Sequence, residues 1–132
     1  RHHVALADAL LQAHQPHKKL KQKTEAIVRC YCEWADADWT VFAYHLLTQH
    51  HFLASLSEDL PNPVDVVRDV IAQSMAAGEI TKRDLDGMTA AVVGIVLQAG
   101  VFKVYGRING PLSDHAPLFV ESAWAVLAGP KS

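Results

Sequence analysis

Hydrophobic positions recur every three or four residues along almost the whole chain, and no stretch alternates strictly between hydrophobic and polar residues. The first pattern is typical of helices that bury one face, whereas half-buried strands would show strict alternation. We therefore predict an all-α helical bundle of about six helices, in one domain that covers residues 1–132. The predicted helices span about His3–His14, Pro16–Ala37, Trp39–Leu56, Pro63–Gly78, Lys82–Tyr105 and Asp114–Ala128.

Residues that favour helix ends support this division. Asn62 is a favourable N-cap and Pro63 suits the first helical turn. Gly78 is typical of the position just after a helix. The segment Thr81–Asp84 resembles a capping box in which Asp replaces the usual Glu, so we expect it to open predicted helix five.

Predicted helix five is apolar on nearly all sides between Ala90 and Phe102. A helix without a polar face has to be covered on both sides. The other helices of one small domain can cover one side, so we predict a homodimer in which the last two helices of each copy form an intersubunit four-helix bundle. The alternative is a central helix buried within a single domain. The predicted interface lies on helices five and six and comprises Ala91, Ile95, Gln98, Phe102, Phe119, Val120, Ala123, Trp124 and Leu127.

Composition narrows the classes of function. Half of the 132 residues are hydrophobic and the formal net charge is −2, which argues against a chain that grips a nucleic-acid backbone by itself. Cys30 and Cys32 point about 200° apart on a helix, so they cannot easily bridge or share a metal ion. Two reduced thiols favour a cytoplasmic protein. The longest apolar run, Ala90–Phe102, is too short to span a bilayer, so we expect no membrane association.

The most characteristic run is Ala77-Gly78-Glu79-Ile80, followed by Asp84-Leu85 and then by Ala90-Ala91-Val92-Val93-Gly94. An amphipathic helix and two aromatic-rich helices precede it, and a Gly/Pro loop and a last helix follow. In this order the chain resembles, over essentially its whole length, the C-terminal ligand-binding and dimerisation domain of TetR/AcrR-type transcriptional regulators.

The resemblance implies the effector-sensing part of a transcriptional repressor. The family's N-terminal helix-turn-helix domain does not appear in this chain, which starts within a helical pattern at Val4. Contacts with DNA would then belong only to that missing part. A small, largely apolar effector that enters between the first four helices would change the geometry of the dimer and release the DNA.

The segment Tyr44–Phe52 contains three of the eight histidines. Because successive residues of a helix advance by about 100°, His45, His50 and His51 point in three directions and cannot converge on one ion. A zinc pair on one helix needs i, i+4 spacing, so we predict no metal site. His50 alone falls on the apolar face of this helix. It is either a neutral core histidine or a polar group that orients a ligand in an apolar pocket.

Aromatic residues of helices two and three and one face of helix four complete the predicted pocket. For each aromatic residue, packing in the core is the alternative. Arg68 could anchor a ligand carboxylate or form an ion pair with a neighbouring acid. The predicted ligand-binding residues are Tyr31, Trp34, Trp39, Phe42, Leu46, His50, Arg68, Ile71 and Met75.

No catalytic motif is visible in the sequence. A nucleophile elbow, a Gly-rich phosphate loop and a paired-carboxylate motif are all missing, so we expect neither enzyme activity nor a cofactor. Two alternatives stay open: a small all-α enzyme or carrier that uses His50 in the same pocket, and a dimerisation module with a filled core. A cavity of a few hundred Å³ lined by Tyr31, Trp39 and His50 would favour ligand sensing over plain dimerisation.

Overall fold

The computed structural model describes residues 2–48 and 62–130. Within these ranges it contains six α-helices and one short 3₁₀-helix, and no strand. The 3₁₀-helix, Leu112–His115, directly precedes the last α-helix. The predicted all-α bundle is confirmed. The α-helices are α1 (His2–His14), α2 (Leu20–Ala37), α3 (Trp39–Leu47), α4 (Pro63–Ala76), α5 (Leu85–Val104) and α6 (Ala116–Ala128).

The start of α2 differs from the prediction, because the helix begins at Leu20 rather than near Pro16. The side chain of Lys19, the N-cap residue, makes no capping hydrogen bond. Instead, the backbone N–H of Leu20 donates to Oε2 of Glu79 at 2.7 Å. Glu79 lies between α4 and α5, and its negative charge also suits the positive end of the helix dipole. A carboxylate distant in the sequence therefore fixes where α2 begins.

The start of α5 is a second correction. The helix begins at Leu85, and Asp84 itself is the N-cap, with Oδ2 accepting from the N–H of Gly87 at 2.7 Å. Thr81–Asp84 is therefore not a capping box whose fourth residue lies inside the helix. By contrast, the predicted start of α4 is confirmed, since Oδ1 of Asn62 accepts from the N–H of Val64 at 2.8 Å.

The last helix begins at Ala116, and the predicted start at Asp114 falls in the 3₁₀-helix. The carboxylate of Asp36, on α2, holds this short turn by accepting from the N–H groups of Leu112 at 2.7 Å and Ser113 at 3.0 Å. α3 covers Trp39–Leu47, and the predicted continuation to Leu56 lies, from residue 49 onward, outside the described residues.

Two clusters of buried side chains form the core. The larger cluster joins α1, α2, α3, the C-terminal half of α5 and the start of α6, and includes Leu10, Tyr31, Phe42, Leu112 and Phe119. The smaller cluster joins the first turn of α2 to the ends of α4 and α6 and the start of α5, and includes Leu20, Ile71, Met75, Val92 and Leu127. α2 contributes to both clusters and so connects the two halves of the bundle.

α5 is long and apolar enough, by length and composition, to cross a bilayer. The prediction that this segment is too short to span a bilayer took into account only the 13-residue run Ala90–Phe102, whereas the helix has 20 residues. Core helices of soluble proteins pass the same test. Here Met88, Val92 and Ala99 are buried against other helices of the chain, while Ala91, Gln98 and Phe102 are exposed.

Candidate ligand-binding site

A cavity of about 160 Å³ lies between the first five helices. α1 contributes Leu6 and Leu10, and α3 contributes Phe42 and Leu46. Most of the other lining side chains are aliphatic residues of α2, α4 and α5, namely Ile27, Val28, Val64, Val67, Val92, Val93, Val96 and Leu97. None of the described lining residues is Asp, Glu, Lys or Arg.

Helical spacing explains why α2 and α5 form two walls of the cavity. On α2, Val28 and Tyr31 lie three residues apart, and on α5, Val92 and Val96 lie four residues apart, so each pair shares one face of its helix. Apart from Leu97 and Pro63, the lining residues on α4 and α5 are five valines, whose stiff, branched side chains leave few ways to fill the space by rotation. This wall favours a cavity of fixed shape.

Tyr31 is the first polar group of the cavity. Its side chain is buried, with 8% of the residue exposed, and its ring packs edge-on against Phe42 at a centroid distance of 5.3 Å. Among the described residues, its hydroxyl has no hydrogen-bond partner. Burial raises the pKa of Tyr31 well above its ordinary value, so the hydroxyl is protonated at neutral pH.

Asn62 is the second polar group, and it is almost fully buried at 1% exposure. Its Oδ1 caps α4 through the N–H of Val64, which requires the carbonyl of the amide to face that backbone group. The Nδ2 group must then point the other way, and it has no hydrogen-bond partner in the described part of the chain. Asn62 therefore has one role in the fold and one hydrogen-bond donor left unused.

His45 and Thr48 complete the polar part of the lining. The hydroxyl of Thr48 donates to the carbonyl oxygens of Tyr44 at 3.1 Å and His45 at 3.3 Å. The imidazole of His45 is half-buried and packs edge-on against Tyr44, at a centroid distance of 5.5 Å. The sequence placed only His50 on the apolar face of this helix, whereas His45 lines the cavity.

Three of the predicted ligand-binding residues line the cavity, namely Tyr31, Phe42 and Leu46. Ile71 and Met75 do not appear in the lining, because they pack in the smaller core cluster below it. Trp34 and Trp39 are half-buried against the larger cluster. Trp39 stacks on Phe42 at 5.8 Å, and the Nζ of Lys103 lies 5.0 Å from its ring centroid, so this ring supports the lining from behind.

Arg68 is not among the described residues that line the cavity. Its side chain is 41% exposed, and its Nε donates to Oδ1 of Asp86 at 2.8 Å. The hydrogen bond to Asp86 and its negative charge raise the pKa of the guanidinium. The ion pair that the sequence left open as the alternative is therefore the observed arrangement.

His50, on which the enzyme or carrier alternative depends, lies outside the described residues, as does His51. Within the described ranges, no group of three or more His, Cys, Asp or Glu side chains is placed to hold a metal ion. Both cysteines are free thiols. Burial raises the pKa of Cys32 to about 12, and burial together with Glu33 raises that of Cys30, which makes both thiols poor nucleophiles at neutral pH.

The predicted interface residues divide into two groups. Ala91, Gln98 and Phe102 are exposed on α5, and Ile95, Val120 and Trp124 are half-buried, so a partner can reach them. Phe119, Ala123 and Leu127 are buried within the chain, with 7%, 1% and 2% of their surface exposed. Their placement on an interface is corrected, because the face of α6 that carries them packs on α2 and α5.

The chain matches no protein-family model, no curated protein and no solved structure at a significant level. The resemblance to TetR/AcrR-type regulators therefore rests on the order and pattern of the helices, and it enters the functional argument as a proposal.

The sequence-based prediction included neither Asn62 nor any of the valines that line the cavity. Asn62 was recognised for its cap, and an Asn cap differs from Ser, Thr or Asp in carrying a second, donating group that the cap does not use. This unused donor is the feature of the sequence that could have indicated a second role for Asn62. The valine wall depends on how α4 packs across α5, which the pattern of either helix alone does not give.

Proposed function

We propose that this chain is the effector-sensing and dimerisation domain of a TetR-like transcriptional repressor. The single observation that carries the proposal is the apolar cavity between the first five helices, with two buried polar groups on its wall. An apolar pocket with a few polar groups is the usual form of a small-molecule site. Close packing is the rule in protein interiors, so a dimerisation module would be expected to fill this space.

The size of the cavity limits the effector. Drug-sized ligands occupy pockets of roughly 300–1,000 Å³, and an engineered apolar cavity of about 150 Å³ holds one benzene molecule. The cavity of about 160 Å³ is therefore suited to an effector of one ring or a short chain. The effector is small and largely apolar.

Dimerisation is the second part of the proposal. Ala91, Gln98 and Phe102 recur at spacings that keep them on one exposed side of α5. On α6, Val120 and Trp124 are half-buried and lie four residues apart, so they share one face of that helix and belong to the proposed interface. A second copy placed on this surface would form a four-helix bundle and would cover the face of α5 that the chain leaves open. On this proposal the protein is cytoplasmic and α5 is a helix of the dimer, not of a membrane.

DNA binding belongs to a part of the protein outside this chain. In the proposed mechanism the cavity lies between α1, which would join the DNA-binding part, and α5, which would hold the partner. An effector that fits one arrangement of these helices better than another shifts the dimer towards that arrangement. The shift can be no larger than the difference between its affinities for the two states.

Two measurements test the proposal. The natural reading frame upstream of Arg1 should encode a basic helix-turn-helix of about fifty residues, the size expected of a small DNA-reading module. The protein with that part should retard its operator DNA on a gel, and residues 1–132 alone should not. A start codon directly before Arg1, or tight specific binding of DNA by residues 1–132 alone, would overturn the proposal.

A further inference from the structure

Two buried side-chain atoms in the described part of the chain lack a hydrogen-bond partner, and both belong to residues that line the cavity. They are the hydroxyl oxygen of Tyr31 and the Nδ2 of Asn62. Nearly all buried polar groups in folded proteins are hydrogen-bonded, so each exception calls for an explanation. Two exceptions on one small cavity point to a common cause.

Both groups are held by interactions that a bound molecule would not need to break. Asn62 cannot turn its Nδ2 towards α4, because the N–H of Val64 needs the carbonyl oxygen of the same amide. Tyr31 is fixed by its edge-on contact with Phe42 and by burial in α2. Its hydroxyl can donate or accept, whereas Nδ2 can only donate. Each atom has less than 1 Å² of accessible surface, so a ligand in the cavity reaches it after a small movement of the neighbouring groups, without breaking an existing hydrogen bond of Tyr31 or Asn62.

The described part of the wall favours a neutral ligand. No described lining residue is Asp, Glu, Lys or Arg, and burying an ion without a compensating charge is very unfavourable. The same apolar surroundings raise the pKa of the Tyr31 hydroxyl, which shows that they disfavour charge. His45 contributes an imidazole to the lining, and this group is already packed against Tyr44.

We propose that the cavity binds a neutral molecule of one ring or a short chain that carries a hydrogen-bond-accepting oxygen, such as a ketone, and that Asn62 Nδ2 donates to this oxygen, with the Tyr31 hydroxyl as the second polar contact. The inference rests on the proposed sensing function and specifies the chemical class of its effector. The aliphatic wall holds the hydrocarbon part of the molecule. The two polar groups orient it and select the oxygen.

The test compares two probes of the same shape, cyclohexanone and methylenecyclohexane, by NMR titration of the ¹⁵N-labelled chain. The hydrocarbon is the more hydrophobic probe, so the ratio of the two dissociation constants is followed from one variant to the next. Tyr31→Phe removes only the hydroxyl. Asn62→Ser keeps an oxygen that can cap α4 and removes the Nδ2 donor. Thermal unfolding establishes that each variant is folded.

We expect each substitution to raise the dissociation constant of cyclohexanone by roughly threefold to tenfold, which corresponds to the loss of one net hydrogen bond. The dissociation constant of methylenecyclohexane should stay the same or fall slightly. Cyclohexanecarboxylate, the anionic probe, should not bind at a concentration at which cyclohexanone saturates the cavity. If Asn62→Ser fails to fold, the Tyr31→Phe comparison decides alone.

The contrary outcomes separate the two proposals. Binding of both neutral probes with an unchanged ratio in the variants would overturn the assignment of the polar contacts and leave the cavity as a site for apolar molecules. Tighter binding of the carboxylate than of the ketone would overturn the neutral class. If none of the three probes binds, the ligand class is overturned, whereas the sensing function is decided separately by the upstream reading frame and the DNA-binding comparison.

Discussion

Gly100 of α5 lies directly against Leu46 of α3: a Cβ added at position 100 would come within 2.8 Å of Leu46 Cδ2. Leu46 also lines the cavity. The contact therefore links the packing of α3 on α5 to the shape of the candidate site. It also explains why a residue with low helix propensity lies inside a long helix.

Gly100→Ala should destabilise the chain, although Ala is favoured over Gly by up to about 1 kcal/mol in a helix interior. The added methyl group has to displace Leu46, and overpacking a core typically costs about 1–3 kcal/mol. Urea unfolding measures the difference. The displaced Leu46 side chain is also expected to weaken binding of cyclohexanone, since it lies on the cavity wall.

The matched controls for this prediction are the single variant Leu46→Ala and the double variant that combines it with Gly100→Ala. Truncating Leu46 alone should cost about 2–5 kcal/mol, as for other buried leucines. In the double variant the methyl group at position 100 meets open space, so the combined loss should be smaller than the sum by about 0.5–3 kcal/mol. Strictly additive losses would show that the two side chains do not meet.

His14 should make the fold sensitive to mild acid. It is 8% exposed, and its Nδ1 lies 3.2 Å from Nζ of Lys23, which also donates to the carbonyl oxygen of His14 at 3.1 Å. Burial and the Lys23 charge lower the pKa of His14 below its ordinary value of 6.5. The folded state therefore favours the neutral ring, and the stabilisation is present above pH 6.5 and lost as the pH falls below it.

The measurement is the free energy of unfolding as a function of pH between about 5 and 8. His14→Gln, which offers Lys23 an uncharged acceptor, should make this dependence less steep on the acid side. The same substitution at the exposed His17 is the matched control and should leave the curve of the native chain in place. An unchanged slope in His14→Gln would contradict the assignment.

We expect the exposed side of α5 to form part of the dimer interface. A charge on this surface would have to be buried when a partner binds, which is unfavourable. We therefore expect the variants Phe102→Glu and Ala91→Glu to sediment as monomers at micromolar concentration, where the native chain sediments as a dimer. Val41→Glu is the control, because Val41 is 42% exposed on α3 and lies outside the proposed interface. A native chain that sediments as a monomer would contradict the interface, as would a Val41→Glu variant that dissociates equally well.

The sequence predicted the number and kind of helices because hydrophobic positions recur with the helical period and because residues that favour helix ends separate the segments. It could not predict contacts between residues distant along the chain, such as Glu79 at the start of α2 or Asp36 at the 3₁₀-helix. Asn62 and Pro63 gave the start of α4 because their effect is local.

The site was harder to predict for a different reason. A helix that is apolar on all sides, like α5, does not indicate which side meets the core, so the face of α6 that packs on it was assigned to the partner instead. Phe119, Ala123 and Leu127 are buried as a result of that packing. Similarly, Ile71 and Met75 lie on a suitable face of α4, but below the level of the cavity.

Occupancy of the cavity should change the arrangement of two copies of the chain, and the proposed sensing function depends on this change. It can be measured as the distance between spin labels on the two copies, attached at Ala5→Cys on the exposed side of α1. Cys30→Ser removes the half-buried thiol, while Cys32 is fully buried and its high pKa keeps it unreactive. The same label in the Val93→Phe variant, in which a ring fills part of the cavity, is the control.

We expect one distance distribution for the free dimer and a displaced one at saturation with cyclohexanone, with no displacement in Val93→Phe. A bound probe that leaves the distance between the two labels unchanged would contradict the sensing function.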